Sequence, residues 1–262
     1  MLDRSIYLKS LFCLICGFLS TLSLTPYSFQ PFMVFFVIGI FITLRSKRKL
    51  EVLILGYVFS FGWFFFGLYW IGSAFLVRSS YFSFILPFAI IALPMFLSLF
   101  WGLAFYLSNF FSKKMGNNYL WFVLFFSLME YVRGSIFEFP WLMPSYILAS
   151  NKHILQGFSF LGSYSMNVVI ITFFVMVLII IDRRQNLIKV ISFLLIPISL
   201  LIFLSILRYE NKTNIKLNKS FLISLIQPNI SQKEKWRKDL FENHFENLYN
   251  LSFLDKKIDY KT

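Results

Sequence analysis

Charged residues are scarce in this sequence. Asp, Glu, Lys and Arg make up 14% of its 262 residues, whereas a soluble globular domain carries about 25%. Apolar residues take their place: 58% of the chain is hydrophobic and the mean hydropathy is +0.71. This balance excludes an ordinary soluble domain, and we predict an integral membrane protein.

Residues that bind metals or carry out redox chemistry are also few. The sequence has two cysteines, Cys13 and Cys16, which lie inside the first apolar run, and two isolated histidines, His153 and His244. A zinc or redox site needs further ligands or exposed thiols. We therefore predict no metal site, and we interpret both cysteines as apolar helix residues.

Acidic residues are outnumbered by basic ones, 12 against 25, which gives a formal net charge of +13. Such an excess is also found in proteins that bind nucleic acid. Here, however, the basic residues cluster in short connectors between apolar runs, where they set the orientation of membrane helices. We expect no nucleic-acid partner.

Seven apolar runs approach the length of about 20 residues that crosses the hydrocarbon core of a bilayer. The second run is short and follows Pro26 and Pro31, so the first two runs form either two spans or a shallow helical hairpin. We predict an all-α polytopic membrane bundle of about 6–7 spans over residues 1–207. The runs cover residues 8–24, 29–44, 52–72, 81–108, 119–136, 161–181 and 187–207.

The basic residues are distributed unevenly between the two ends of these runs. With a cytoplasmic N-terminus, eleven fall on the cytoplasmic side and at most three, Arg78, Arg133 and Lys152, on the opposite side. This is the positive-inside pattern, and it predicts that the segment after Leu207 lies outside the cytoplasm. The eleven are Arg4, Lys9, Arg45, Lys47, Arg48, Lys49, Lys113, Lys114, Arg183, Arg184 and Lys189.

The third run contains glycines among aromatic residues. Small residues let helices approach closely in lipid, and a lipid-lined groove is the alternative interpretation. The glycines are Gly56, Gly62, Gly67 and Gly72.

The fifth run contains two charged residues, Glu130 and Arg133. They lie three residues apart on one helical face and can pair. Ionisable residues within a span mark a functional site by default. We interpret the pair either as a structural ion pair or as the polar floor of a headgroup site, next to an aromatic, proline-containing loop that includes Trp141.

The composition changes after Arg208 to Asn, Lys and Glu. The stretch FLISLIQPNI, residues 221–230, is typical of a buried strand that ends at a turn. A helical apolar stripe follows from Trp236, and Ser231 with Glu234 has the spacing of a capping box. A buried strand and an amphipathic helix open an α/β layered domain. We expect residues 208–262 to be the first strand and helix of an incomplete α/β domain.

Four segments together resemble apolipoprotein N-acyltransferase, the bacterial enzyme that completes lipoprotein maturation. The resemblance runs in order through essentially the whole chain, and the combination is specific although each segment alone is weak. The segments are LTPYSFQP (24–31), FGWFFFGLYWIGSA (61–74), EYVRGSIFEFPW (130–141) and ISLIQPNISQKEKW (223–236).

The resemblance implies a multi-pass protein of the bacterial inner membrane with a periplasmic nitrilase-like domain. Members take an acyl chain from a phospholipid onto a catalytic cysteine. They pass it to the α-amino group of the diacylglyceryl-cysteine at the N-terminus of a lipoprotein. A thiolate nucleophile, a carboxylate base and a lysine that stabilises the oxyanion carry out this chemistry, and no metal or organic cofactor is implied.

The resemblance also suggests binding residues. Trp236 resembles a substrate-pocket tryptophan, and the alternative is that it covers the predicted sheet as part of the apolar stripe. The substrate-binding candidates are Trp236, Gln227, Asn229, Glu130, Arg133 and Trp141.

No catalytic residue is expected among these 262 residues. The family's Glu, Lys and Cys belong to later parts of the nitrilase-like domain, and Cys13 and Cys16 lie in a membrane span. We expect the chain alone to be inactive, either as a truncated enzyme or as one half of a split enzyme whose second polypeptide supplies the triad. A non-catalytic membrane scaffold and a small transporter are the alternative functions. Transporters usually show internal repeats and mid-membrane charges, which disfavours the last of these.

Overall fold

A computed structural model describes residues 4–73, 86–115, 118–183, 187–212, 225–232 and 234–254. The described residues form α-helices and short 3-10 helices, and none of them is in a β-strand. The chain divides into two units. The first comprises Met1–Trp70 and Phe88–Asn214, and the second comprises Ile71–Pro87 and Ile215–Thr262.

Eight helices carry the apolar part of the chain. They are α1 (Arg4–Ser20), α2 (Met33–Arg45), α3 (Lys49–Leu68), α4 (Leu86–Met115), α5 (Asn118–Ile136), the short α6 (Lys152–Leu155), α7 (Phe158–Arg183) and α8 (Leu187–Lys212). Short 3-10 helices extend or connect them at Thr21–Ser23, Gln30–Phe32, Tyr69–Ile71 and Pro144–Ser150. The prediction of an all-α bundle is therefore confirmed for the described part of residues 1–207.

Four of the described helical segments are long and apolar enough to cross a membrane: Ser5–Ser23, Lys49–Ile71, Leu86–Lys114 and Phe158–Asp182. The segment Gln30–Arg45 is apolar but shorter, as the short second run indicated. These helices fit a membrane protein, whereas the predicted number of about 6–7 spans stays a prediction. The beginning of the fourth predicted run, residues 81–85, lies outside the described residues.

Helices α1 and α3 touch through their backbones. A Cβ atom added at Gly17 would lie 2.0 Å from the carbonyl oxygen of Phe59, and one at Gly62 would lie 2.2 Å from that of Leu14. No larger side chain fits at either position unless the helices move apart. The interpretation of the third run's glycines as packing residues is thus confirmed at Gly62.

The centre of the first unit is aromatic. Phe36 of α2, Trp63 of α3, Trp101 of α4 and Phe126 of α5 are all fully buried. The Phe36 ring meets that of Trp101 edge to face, with centroids 5.8 Å apart, and the Trp101 and Phe126 centroids are 4.7 Å apart. Such pairs contribute about 0.5–1.5 kcal/mol each beyond the burial of their surface. They join four helices into one core.

The second unit differs from the sequence prediction. Residues 221–224 of the predicted strand lie outside the described residues, and residues 225–230 are not in a strand. The incomplete α/β domain is therefore not confirmed. A strand needs a partner for its backbone hydrogen bonds, and the described residues of this unit offer none.

The amphipathic helix of the second unit starts later than predicted. The backbone N–H of Glu234 donates to the carbonyl oxygen of Ser231 at 3.0 Å, which closes a turn and not a helix. A 3-10 helix follows at Lys238–Leu240, and the helix α9 spans Phe241–Leu254. Its apolar side chains, such as Phe241 at 70% exposure, are open. Among the described residues, no sheet lies beneath this stripe.

Candidate functional site

An apolar cleft with a volume of about 610 Å³ lies in the first unit, where α1 and α3 end. Its walls come from the segment that follows α1, from the C-terminal end of α3, and from the loop and 3-10 helix that follow α5. None of these described wall residues carries a charged side chain. They are Thr21, Leu24, Thr25, Pro26, Tyr27, Phe66, Gly67, Tyr69, Trp70, Pro140, Trp141, Leu142, Tyr146 and Ala149.

Two tryptophans form a broad wall of the cleft. The rings of Trp70 and Trp141 have centroids 5.2 Å apart, and Trp141 stacks on Phe139 at 5.8 Å with an interplanar angle of 18°. Both tryptophans keep nearly half of their surface exposed, 45% for Trp70 and 48% for Trp141. The wall therefore presents ring faces and edges that can contact a hydrocarbon chain.

The loop that carries Trp141, residues 137–143, has an unusual backbone. Glu138 and Leu142 have φ angles of 50° and 57°, in the left-handed region that side chains with a Cβ rarely adopt. Such conformations persist only where the surroundings hold them. In this loop, consecutive carbonyl groups accept hydrogen bonds from buried or partly buried side chains below it.

The strongest support comes from the buried pair in α5. Arg133 is fully buried and binds both carboxylate oxygens of Glu130, at 2.9 and 2.8 Å. Its Nη1 also donates to the carbonyl oxygens of Phe139 and Trp141, at 2.7 and 3.0 Å. The indole N–H of Trp101 donates to Glu130 Oε1 at 2.7 Å. The predicted pairing is confirmed, and the pair fixes the loop from beneath.

Two aromatic donors and one glycine complete this support. Trp63 Nε1 donates to the carbonyl oxygen of Leu142 at 3.0 Å, and the Tyr146 hydroxyl donates to that of Pro140 at 3.0 Å. Burial raises the pKa of Tyr146, so its phenol keeps the proton that it donates. A Cβ at Gly67 would lie 2.4 Å from Leu142 Cδ1. A larger residue at this position would require the Leu142 side chain to move.

Apart from the indole N–H groups of Trp70 and Trp141, the polar side-chain groups of the cleft are hydroxyls. The neighbouring Tyr69 side chain raises the pKa of Tyr27, and the Tyr27 ring stacks on Phe66 with centroids 6.4 Å apart. Thr21, Thr25 and Tyr146 supply the remaining hydroxyls, and that of Tyr146 donates to the Pro140 carbonyl oxygen. At neutral pH the cleft therefore offers neutral donors and acceptors beside a large apolar surface.

The structure brings three of the six predicted binding residues to this place. Trp141 lines the cleft, while Glu130 and Arg133 lie beneath the loop and not on the cleft wall. The other three lie in the second unit, where their side chains are exposed: Gln227, Asn229 and Trp236, the last at 70%. The binding roles of all six stay predictions.

Sequence reasoning missed several cleft residues. Trp70 belongs to the segment FGWFFFGLYWIGSA and Tyr27 belongs to LTPYSFQP, whereas Gly67 was named in advance as a packing glycine or part of a lipid-lined groove. Both segments carried the resemblance, and that signal could have pointed to these residues. Tyr146 lies outside these segments. Trp63 lies within the first, but the segment does not indicate that its indole N–H reaches the Leu142 carbonyl oxygen.

The cysteines lie away from the cleft. Cys13 and Cys16 are fully buried in α1, as expected for apolar helix residues, and Cys13 Sγ lies 3.9 Å from Thr43 Oγ1. Among the described residues, no group of three or more His, Cys, Asp or Glu side chains is placed to hold a metal ion.

Comparison with known proteins identifies the family. Residues 16–179 match the model of the apolipoprotein N-acyltransferase N-terminal domain. The chain is 29% identical over 257 residues to "Apolipoprotein N-acyltransferase" of Rickettsia bellii, which covers 97% of this chain and 50% of that protein. It is 30% identical over 185 residues to the protein of the same name from Rhodopseudomonas palustris, 68% of this chain and 34% of that one.

A second relative from Rickettsia matches over a similar length. The Rickettsia prowazekii protein of the same name is 29% identical over 249 residues, 94% of this chain and 49% of the relative. The chain thus spans about half the length of the curated Rickettsia relatives it matches. The family model covers all residues that line the cleft, from Thr21 to Ala149. The chain belongs to the apolipoprotein N-acyltransferase family.

Proposed function

We propose that this chain is the membrane part of an apolipoprotein N-acyltransferase and that its cleft holds an acyl chain during lipoprotein N-acylation. The acyl chain belongs to the phospholipid donor or to the diacylglyceryl group of the acceptor lipoprotein. The observation that carries the proposal is the uncharged aromatic cleft, whose Trp141 wall is fixed by Arg133 through two loop carbonyls.

The chemistry of the cleft supports a lipid ligand. Its volume of about 610 Å³ falls in the range of small-molecule sites, which are mostly apolar with a few placed polar groups. The exposed faces of Trp70 and Trp141 contact methylene groups, and the Tyr27 and Tyr69 hydroxyls suit an ester or a glycerol oxygen. A rigid wall lowers the entropy lost on binding.

The distribution of charge supports a location in the bacterial inner membrane with a cytoplasmic N-terminus. Arg45, Lys49, Lys113 and Lys114 lie at helix ends remote from the cleft, where a cytoplasmic side would carry them. The cleft, at the C-terminal ends of α1 and α3, then faces the periplasmic side. A periplasmic nitrilase-like domain would meet the acyl chain there.

The thioester step of the proposed reaction needs a cysteine that can reach the substrate. The chain has two cysteines, and both are fully buried in α1. We therefore assign the catalytic Glu, Lys and Cys to sequence beyond these 262 residues, in the same or in a second polypeptide. The chain itself acts as the lipid-binding scaffold.

Photo-crosslinking tests the cleft. The purified chain in nanodiscs is exposed to phosphatidylethanolamine with a photoreactive acyl chain, and the labelled peptides are mapped by mass spectrometry. We expect labelling of residues 66–70 and 140–149, reduced about threefold in Trp70→Ala because ring contacts are lost. Trp121→Ala is the matched control, since Trp121 packs on Phe111 and Phe125 and not on the cleft. Equal labelling of all three proteins would contradict the proposal.

An activity assay tests the division of labour. The chain is incubated with labelled phosphatidylethanolamine and a diacylglyceryl peptide, with a full-length relative as the positive control. We expect neither acyl transfer nor a thioester from the chain alone. Transfer above background would show that a residue of this chain acts as the nucleophile.

A further inference from the structure

A second cavity, with a volume of about 390 Å³, lies at the opposite end of the same two helices. Its walls include Ser5 and Lys9 of α1 and the segment Arg48–Glu51 at the start of α3. Lys9 of the cavity and Thr21 of the cleft lie twelve residues apart along α1 and its 3-10 extension, which corresponds to roughly 18 Å. The two cavities are therefore different sites.

The cavity carries a net positive charge. Three basic side chains, Lys9, Arg48 and Lys49, face one carboxylate, Glu51. Lys9 Nζ and Ser46 Oγ both donate to Glu51 Oε1, at 2.8 and 3.2 Å. Arg48 also interacts electrostatically with this carboxylate, but three cations against one carboxylate leave two positive charges in excess for an anion.

The contacts of Arg48 and Lys49 do not remove the excess positive charge. Arg48 is exposed, and Lys49 Nζ lies 4.1 Å from the centroid of the Phe110 ring. A cation–π contact orients an ammonium group but leaves its charge in place. An anion in the cavity would receive charge-assisted hydrogen bonds from both side chains.

An exposed apolar track begins beside this charge. Leu50, in the cavity wall, is 69% exposed, and Leu8 of α1 is 67% exposed. Leu11 and Ile15 continue the same face of α1 with exposures of 55% and 44%, at the spacing of a helical stripe. A ligand that is anionic at one end and apolar along its length matches both features.

We propose that this cavity binds the phosphate of an anionic phospholipid, with an acyl chain along the Leu8–Ile15 face of α1. The positive charge of the cavity favours anionic over zwitterionic phospholipids. A zwitterionic headgroup brings its own ammonium group toward Arg48 and Lys49, whereas a glycerol headgroup leaves the phosphate charge uncompensated. Basic residues next to membrane helices attract anionic lipids by the same electrostatics.

Two double variants with equal charge loss test the site. Arg48→Gln/Lys49→Gln removes one exposed cation and one cation that lies over Phe110. Lys113→Gln/Lys114→Gln does the same outside the cavity, since Lys113 is exposed and Lys114 Nζ lies 4.8 Å from the same ring centroid. The chain and both variants are purified in nanodiscs that contain phosphatidylglycerol and phosphatidylcholine, and retained lipids are counted by native mass spectrometry.

We expect the ratio of retained phosphatidylglycerol to phosphatidylcholine to fall by about fivefold or more in the cavity variant, and by no more than about twofold in the control. An equal fall of the ratio in both variants would mean that any basic residue near the membrane attracts the anionic lipid, and it would overturn the proposal. Excess inorganic phosphate should not displace the lipid; displacement would show that the acyl chain contributes nothing and would also overturn it. Should the double variant unfold, Arg48→Gln alone repeats the test at an exposed side chain.

Discussion

Two ion pairs of this chain have similar chemistry and opposite surroundings. Glu130 and Arg133, in the first unit, have side chains 1% and 0% exposed. Arg237 and Asp239, in the second unit, have side chains 55% and 61% exposed. The buried pair binds two loop carbonyls and one indole N–H. Among the described contacts, the exposed pair joins only its own two side chains.

The comparison shows that burial decides what an ion pair can do. A buried Arg that binds a carboxylate has further donors that must find acceptors, and here they find the carbonyls of Phe139 and Trp141. The hydrogen-bond donors of the buried Arg133 side chain thus determine the backbone conformation of the cleft wall. In water, solvent takes up the spare donors, and an exposed pair contributes little.

The largest effect is expected from Glu130→Gln. The amide removes the negative charge next to fully buried Arg133 and turns an NH₂ donor toward its guanidinium. An uncompensated buried charge costs about 3–5 kcal/mol. Thermal unfolding in detergent should show a large drop in Tm. Glu138→Gln, the same exchange at an exposed residue of the loop, should leave the Tm unchanged. A similar Tm for both variants would contradict the role of burial.

A smaller loss is expected from Trp63→Phe. Phenylalanine cannot donate to the carbonyl oxygen of Leu142 and leaves space at a fully buried position. The lost hydrogen bond and the smaller ring together cost about 1–3 kcal/mol. The measurement is the free energy of unfolding in detergent. Trp236→Phe makes the same exchange at 70% exposure in the second unit and should change it very little; equal losses would remove the contrast between the units.

Tyr146→Phe should weaken the loop locally. The variant keeps the ring but loses the hydrogen bond to the Pro140 carbonyl oxygen, which contributes about 0.5–1.5 kcal/mol. Hydrogen exchange of residues 137–143 should become faster, while that of α3 stays unchanged. Tyr249→Phe, at an exposed ring of α9, is the control. Unchanged exchange in the loop would show that Arg133 and Trp63 hold it without Tyr146.

The buried pair also shows how far the sequence could predict the site. The spacing of three residues on one helical face predicted that Glu130 and Arg133 meet, and the structure confirms it. The spacing could not predict that Arg133 reaches the loop carbonyls. That contact depends on the backbone of residues 137–143, which includes left-handed angles at Glu138 and Leu142. Neither residue type indicates such an angle.

The second unit shows where local patterns fail. Ser231 and Glu234 were predicted to cap a helix, and their side chains do meet, at 3.1 Å. The helix nevertheless begins only at Phe241, because the backbone at Arg237 is extended, with a ψ angle of 120°. The spacing of the capping box predicted the contact between the two side chains, but it did not predict where the helix begins. In the bundle, apolar runs predicted helices correctly because lipid and packing leave the backbone few alternatives.

The smallest effect is expected from Arg237→Gln, which removes the exposed pair. The hydrogen bond from Arg237 lowers the pKa of Asp239 below its ordinary value of 3.8. A carboxyl group with a lowered pKa in the folded state stabilises that state above its unfolded pKa, and this contribution is lost as the pH falls through the folded pKa. At pH 7 solvent screens the pair, so the Tm and the helical circular dichroism should stay as in the unaltered chain. Any difference should be small and should disappear in acid. A loss at pH 7 as large as that of Glu130→Gln would mean that burial does not separate the two pairs.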